Sequence, residues 1–597
     1  MPEPLVVSVK ATFRVPPDEL WAFLADTDRM NRVVDLPPVR FAPFPDPAKT
    51  GHYRAEAKLL GLTLAYEEFP WDWVEGRHYR ILRRFDNGPI REVSGGVRLE
   101  AVAGGTELEV SGRIESRGLL GPLARRMAAS KLSNDIHGYA RAFEQYVLDP
   151  RGARFPALPP PGLVHPEILE TRLKAVAVPG PVDRLREHLL TASDLEVLRM
   201  RPYALADRWS CDRTETLRFF LHAARVGVLD LVWDILCPSC RMPALEEAGL
   251  AKLRCRVHCD TCRIDFGSDL SRSVEARFNV NPAVRAARQV TYCIGGPANT
   301  PHVIAQLRLD PGEKRREELR LRAGTVRIRC YQAPGIFETS VAPGGRTAVE
   351  AVCEPGGFRT TAPLSESTTL DVVNRLPTEA LVVVERETWR EQAATAAAVV
   401  SLQDFRDLFP AEAVAPGEEL GIASLAVLFT DLKGSTELYQ RVGDPRAFSY
   451  VQNHFRYLVE KVATHRGRVV KTMGDAVMAT FASGADAVSA ALEMQRGWSA
   501  FQAARKDGDG ILLKVGVHQG PSIAINNAGR LDYFGTTVNT AARVQGQSSG
   551  GDIVVTDAVR ADPGVKPLLE GRSIAEFKAA LKGLEGEQRL FRIVRED

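Results

Sequence analysis

Apolar positions change their period along the chain, and the changes mark out its parts. A β-like run, Val6 to Val15, is followed by a helical patch with Leu20, Trp21, Phe23 and Leu24. Alternating runs come next, at His52 to Leu60, Leu62 to Phe69, His78 to Arg84, Val97 to Ala103 and Glu107 to Ser116. Leu120, Leu123, Met127, Leu132, Ile136, Tyr139, Phe143, Tyr146 and Val147 then recur at mostly helical spacing and predict a long helix closing a domain over 1–148. Residues 149–163 contain Arg154-Phe-Pro-Ala-Leu-Pro-Pro-Pro161, a stiff linker. In 164–270, the stretch Ala204 to Leu221 predicts a short helix, a turn and a second, strongly apolar helix. Over 271–387 the text turns to short alternating strands between Pro and Gly turns, among them Val290 to Cys293, Val303 to Leu309 and Ala380 to Arg386, which predicts a β-sandwich. Glu387 to Phe409 reads as a helix with Ala394, Ala397 and Ala398 allowing close approach, so 388–418 form a connecting helix and linker.

The last part, 419–597, has the most regular pattern. Leu425 to Phe429 has the length and composition of a buried strand and ends in Thr430-Asp431-Leu432-Lys433-Gly434. Phe448, Val451, Phe455, Leu458, Val459 and Val462 recur at helical spacing, and two short β-like runs, Val469 to Thr472 and Ala476 to Phe481, are joined through Met473-Gly474-Asp475. A second amphipathic segment, Ala485 to Phe501, leads to a strand from Ile511 to His518. The order βαββαβ is the ferredoxin-like, split βαβ plan, in which the first and third strands lie antiparallel and adjacent. Asp431 and Asp475 then become neighbours. Two carboxylates so placed repel unless a cation lies between them, and paired divalent ions suit displacement at phosphorus. Two exposed turn aspartates are the plain alternative.

Lys471-Thr-Met-Gly-Asp475 together with Asp532-Tyr-Phe-Gly-Thr-Thr-Val-Asn539-Thr-Ala-Ala-Arg543 resembles the catalytic domain of class III nucleotidyl cyclases, over about 165 residues from Ser424 onward. The resemblance implies that Asp431 and Asp475, with the backbone carbonyl of Leu432, bind two Mg2+ or Mn2+ ions. It implies that Lys471 and Asp532 read adenine, that Asn539 positions the ribose and Arg543 neutralises phosphate charge, and that Lys582 contacts the terminal phosphates. It further implies a head-to-tail homodimer in which the aspartates of one subunit face the Asn and Arg of the other. Thr536 departs from the Asp or Asn common in the family, which touches the turn more than the chemistry. The physical reading runs the same way. A guanidinium offers a planar set of donors to phosphoryl oxygens where charge develops. Lys471 can donate to adenine N1 and Asp532 can accept from its exocyclic amine, whereas guanine presents the opposite pattern. The expectation is an adenylate cyclase making cyclic AMP and pyrophosphate from ATP, regulated by its upstream domains. A guanylate cyclase, or a nucleotide-sensing DNA-binding regulator with an inactive cyclase fold, are the alternatives.

Cysteines change the picture of the middle region. Cys237-Pro-Ser-Cys240 and Cys259-Asp-Thr-Cys262 are two knuckles separated by eighteen residues, a zinc-ribbon signal, and four thiolates leave no open position, so one Zn2+ there is structural. Cys255 breaks the knuckle spacing and is excluded. Sheet followed by a carboxyl-terminal helix over 1–148 resembles the START-like, helix-grip fold, in which an apolar small molecule can lie between sheet and helix. A core filled by those same side chains is the other reading. The helix pair after 204 resembles a winged helix, with Arg213, Thr216 and Arg218 as candidates to face DNA, although packing uses the same device and DNA is the lesser expectation.

The whole is therefore read as a multidomain α+β chain. Its 597 residues allow roughly three to five domains. A formal net charge of +2 argues for neither nucleic acid nor an anionic membrane as partner. With no basic-then-apolar start, no run of about 18 apolar residues and nine cysteines, an odd number, a soluble, cytoplasmic protein is expected.

Overall fold

The computed structural model describes residues 3–594 except 47–48, 60, 150–161, 239, 261, 263, 360–362, 387–392, 505–509 and 585. Most of the predicted linker, 149–163, lies outside the described residues, as does the start of the predicted connecting helix. Leu5–Phe13 pairs antiparallel with Gly105–Ser116, and a 28-residue helix, Gly121–Leu148, packs on that sheet. Phe23 stacks at 4.1 Å on both Tyr139 and Phe143, so aromatic side chains occupy the space between this helix and the helix Pro17–Leu24. The predicted apolar stripe holds only in the later turns of the long helix, because Leu120, Leu123 and Met127 are exposed while Ile136 and Tyr139 are buried.

The domain edge predicted at 271 is displaced. Val274–Val280 pairs antiparallel with Leu229–Leu236, inside the preceding region. Its Glu275 and Arg277 are buried and paired with each other at 2.9 Å. Val290 to Cys293 is not a strand. The backbone donors of Tyr292 and Cys293 are taken by the Asp28 carboxylate at 2.7 and 3.1 Å.

Beyond it, the strands from Val303–Leu309 to Ala380–Arg386 belong to the same sheet as the amino-terminal strands, fifteen among the described residues, because Asp72–Val74 pairs with Val303–Leu309. The long strand Ile336–Glu354 pairs antiparallel with Gly324–Cys330 in its first part and parallel with Leu364–Asn374 in its second, with register shifts around Arg346. Side chains from both parts share one apolar cluster containing Ile328, Leu307, Ala351 and Val372. The connecting segment is two short helices, Ala396–Val400 and Gln403–Leu408, rather than the single helix predicted; Ser401 and Leu402 separate them.

The carboxyl-terminal part begins with β1 (Leu420–Lys433), α1 (Ser435–Val442), α2 (Asp444–Thr464), β2 (Arg468–Met473), β3 (Ala476–Phe481) and α3 (Gly484–Ala503). It continues with β4 (Leu512–Asn527), β5 (Arg530–Phe534), α4 (Thr536–Gly546), β6 (Asp552–Thr556), β7 (Ile574–Ala580) and β8 (Glu587–Val594). The strand order is β2-β3-β1-β4-β6-β8-β7, with β5 paired to β4. β1 is antiparallel to both β3 and β4. Its uniform apolarity has a direct cause: Ala426 and Leu428 face a core shared with α2 and α3, while Leu425, Val427 and Phe429 face a core shared with Trp233, Phe405 and Val400 from upstream. Phe448, counted in the helical stripe of α2, is 60% exposed.

Candidate active site

The two aspartates meet because β1 and β3 pair. Thr430 lies opposite Val477, and the Val477 N–H donates to Thr430 Oγ1 at 3.3 Å, so the next residue on β1, Asp431, approaches the turn before β3. That turn is Gly474-Asp475, two residues between the paired Met473 and Ala476. Its first position has φ +64°, which glycine adopts without strain. Burial raises the Asp431 pKa above the ordinary carboxylate value, and the charge of Asp475 raises it further against the opposing pull of Lys514, the Leu432 N–H and Gln545. One carboxylate oxygen of Asp475, Oδ2, is buried without a hydrogen-bond partner. Two like charges, partly buried, with an orphaned acceptor between strand tips, fit a divalent cation. At Leu432 it is the N–H that meets the Asp431 carboxylate.

Lys471 and Asp532 also come together, as an ion pair with Nζ 3.0 and 2.7 Å from the two carboxylate oxygens. β5 brings Asp532 there by folding back on β4 through Ala528-Gly529, both with positive φ (52° and 78°), as a two-residue hairpin turn with right-handed strand twist requires. Burial alone would push the Asp532 pKa up, but Lys471, the Asn527 amide at 3.0 Å and the Tyr533 N–H at 2.8 Å hold it below the ordinary value.

Asn539 and Arg543 lie on α4, and the chain does not bring them to the aspartates. Gln545, beside Asp431, is two residues from Arg543, a rotation of about 200° around a helix. Arg543 instead packs against Gly583 in the turn joining β7 and β8, where an added Cβ would lie 3.1 Å from Nη1. Lys582 is exposed in that same turn. Acidic and basic halves of the predicted site thus sit on different sides of α4, and Asn539 is exposed to solvent.

Three neighbours escaped the sequence reading. His454 is fully buried and makes a 3.3 Å hydrogen bond to the Asp475 carbonyl. It stands between Val451 and Leu458 on the apolar face of α2, a position that the helical period itself marks as inward. Asn527 flanks a turn, where Asn has local reasons to occur. Gln545 carries no signal.

The second predicted site is also assembled. The Sγ atoms of Cys237, Cys240, Cys259 and Cys262 lie within 4.8 Å of one another. Cys259 ends a strand, Arg256–Cys259, paired with Ile264–Gly267, and its sulfur accepts the Cys262 N–H at 3.4 Å. Four thiols in one group fit a tetrahedral soft-ligand metal. Cys255 is exposed and stands outside the cluster. Of the candidate DNA-facing residues, Thr216 is buried, Arg218 is paired with Asp404 at 2.9 Å and Arg213 with Asp207 at 2.7 Å. Among the described residues no helix is long and apolar enough to cross a membrane.

Comparison with known proteins finds that residues 420–566, the part that holds the paired aspartates and the Lys–Asp pair, match the adenylate and guanylate cyclase catalytic domain. Residues 4–147 match the family of polyketide cyclases, dehydrases and lipid transport proteins, and 165–291 match a family of unknown function. The pH-sensitive adenylate cyclase MT1302 of Mycobacterium tuberculosis (strain CDC 1551 / Oshkosh) is 29% identical over 197 residues, 32% of this chain and 47% of its own. Putative adenylate cyclase 3 of Rhizobium meliloti (strain 1021) is 29% identical over 153 residues, 26% of this chain and 24% of its own. The chain spans less than half the length of these relatives. The adenylyl cyclase CyaB from P. aeruginosa aligns with 30% of this chain and 97% of its own at 19% identity and a TM-score of 0.27.

Proposed function

We propose that the protein is a class III adenylate cyclase converting ATP to 3′,5′-cyclic AMP and pyrophosphate, acting as a homodimer whose output the upstream domains set. The observation that carries this is the pair Asp431 and Asp475, gathered at one strand tip with a buried oxygen left unpartnered. They would hold two Mg2+ or Mn2+ ions, which supply charge neutralisation and a lowered pKa for the ribose 3′-hydroxyl. Lys471 donates to adenine N1 and Asp532 accepts from the exocyclic amine, with Asn527 and the Tyr533 N–H keeping the carboxylate ionised and aimed. Asn539 orients the ribose, and Arg543 presents its donors to phosphoryl oxygens as charge builds there. Lys582, on the same side as Arg543, receives the terminal phosphates. Because Arg543 points away from the aspartates of its own chain, a second copy supplies it, giving two equivalent sites per dimer. The relatives named above are adenylate cyclases, which supports the choice of base. Cys237, Cys240, Cys259 and Cys262 would hold one structural Zn2+.

The purified chain is to be assayed at high protein concentration with Mn-ATP and Mn-GTP. Cyclic AMP from ATP, little product from GTP, and a loss of at least about a hundredfold in Asp431→Ala are expected. Absence of any cyclic product from the wild-type chain overturns the reading.

A further inference from the structure

The strand that carries Lys471 is not regular. In β2, Arg468 lies opposite Thr480, Val469 opposite Ala479 and Lys471 opposite Met478, so Val470 is an inserted residue, a β-bulge. The bulge has a consequence for side-chain direction. Arg468 and Lys471 are three apart in sequence, which in a regular strand puts them on opposite faces. Counted along the partner strand they are two apart, and they emerge on the same face. Both then reach β5: Arg468 donates to the Leu531 carbonyl at 3.2 Å, and Lys471 grips Asp532, the next residue.

The bulge is held from outside the catalytic part. From the helix Gln403–Leu408, Gln403 Oε1 accepts the Val469 N–H at 3.1 Å. Arg406 donates to the carbonyls of Val469 and Val470, the latter at 3.0 Å. Arg468 closes the ring by donating to the Val400 carbonyl at 3.1 Å. The same short helix is gripped on its other side, where Asp404 accepts Arg218 at 2.9 and 3.0 Å and His222 lies at 3.1 Å, both from the helix Arg213–Arg225, while Phe405 is buried edge-on to Trp233. A bulge is locally disrupted backbone whose polar groups lack ladder partners. Here the connecting helix supplies them.

We propose that Gln403 and Arg406 are positioning residues for nucleotide recognition: by holding the bulge at Val470 they aim Lys471 at the base, and through Asp404 they link that aim to the upstream helix Arg213–Arg225. The inference rests on the reading of Lys471 as a base contact. It is tested on the full-length chain by equilibrium binding of ATP and of GTP, read without turnover, alongside cyclic AMP formation. In Arg406→Ala, ATP affinity and half-saturation weaken about tenfold and the preference for ATP over GTP shrinks, while turnover at saturating ATP stays within about twofold. Arg406→Lys, which keeps a donor, restores most of the affinity. If Arg406→Ala fails to fold, Gln403→Leu, which loses a single bond, carries the same comparison. A folded variant with wild-type ATP affinity and preference overturns the proposal, as does one that loses turnover at unchanged affinity. A wild-type chain that binds ATP without making cyclic product sinks the catalytic reading and leaves this one to the binding data; one that binds neither nucleotide overturns both.

Discussion

At the scale of single residues, the carboxyl-terminal part gathers charge at one strand tip and in one Lys–Asp pair, and the proposed function gives both a use. Burial, and then the charge of Asp475, raise the cost of ionising Asp431, a conflict that a cation removes. His518, by contrast, is half-buried on β4 beside Thr556, and partial burial pushes its pKa down to about 4. His302, in the middle region, is likewise pushed down to about 4. Their folded values lie below the unfolded one, about 6.5. Protonation therefore favours the unfolded chain: this stability is complete above pH about 6.5, falls as pH drops towards about 4, and levels off below. Denaturant melts between about pH 7 and about pH 4.5 should show wild type losing more stability than His518→Asn. Equal losses would remove His518 from the account.

At the scale of elements, the decisive fit is between α4 and β4. Gly516 lies on β4 opposite Phe429, and a Cβ there would come within 2.1 Å of the Gln545 backbone nitrogen. The helix carrying Asn539 and Arg543 can approach the sheet this closely only over a glycine. Gly516→Ala should therefore lower stability by about 1–3 kcal/mol and reduce cyclic AMP formation in the variant that still folds, since α4 must move outward with both residues. Unfolding free energy and single-substrate kinetics measure the two effects. Wild-type values in both would mean that α4 yields without consequence. The element-level reading from sequence had a mixed outcome for a physical reason. The aspartate-bearing strands were legible because their polar residues fall at strand ends. Val274–Val280 was not read as a strand at all, and its buried Glu275 and Arg277, paired with each other, carry no local sign of the partner strand Leu229–Leu236.

At the scale of the whole molecule, the carboxyl-terminal sheet has one face on its own helices and the other on the upstream region, where Trp233, Phe405 and Val400 meet Val427 and Phe429. The cysteine cluster belongs to that upstream region, and nearby backbone reaches the entry to the catalytic part: the Leu250 N–H donates to Glu412 at 2.7 Å and the Cys255 N–H to Glu418 at 3.1 Å. The amino-terminal domain is tied in too, through the shared sheet and through His52, which bridges Glu67 at 2.7 Å and Glu379 at 3.0 Å. Metal analysis should find about one Zn2+ per chain, and chelation or Cys259→Ser should lower the melting temperature of the upstream region and, through these contacts, cyclic AMP formation. A chain purified without metal and unaffected by chelator would contradict the zinc assignment.

The sequence alone determined which chemical groups the protein owns: the two aspartates and the two cysteine knuckles stand out by residue type and placement, while the Lys–Asp pair and the α4 residues stand out through the resemblance of their motifs to class III cyclases. Only the tertiary structure decided how those groups are aimed. Whether Arg543 faces its own aspartates, whether Lys471 and Arg468 share a face, and what covers the second side of β1 depend on one-residue shifts of register and on burial between segments distant in sequence. Such shifts leave composition and period unchanged, so no local pattern records them.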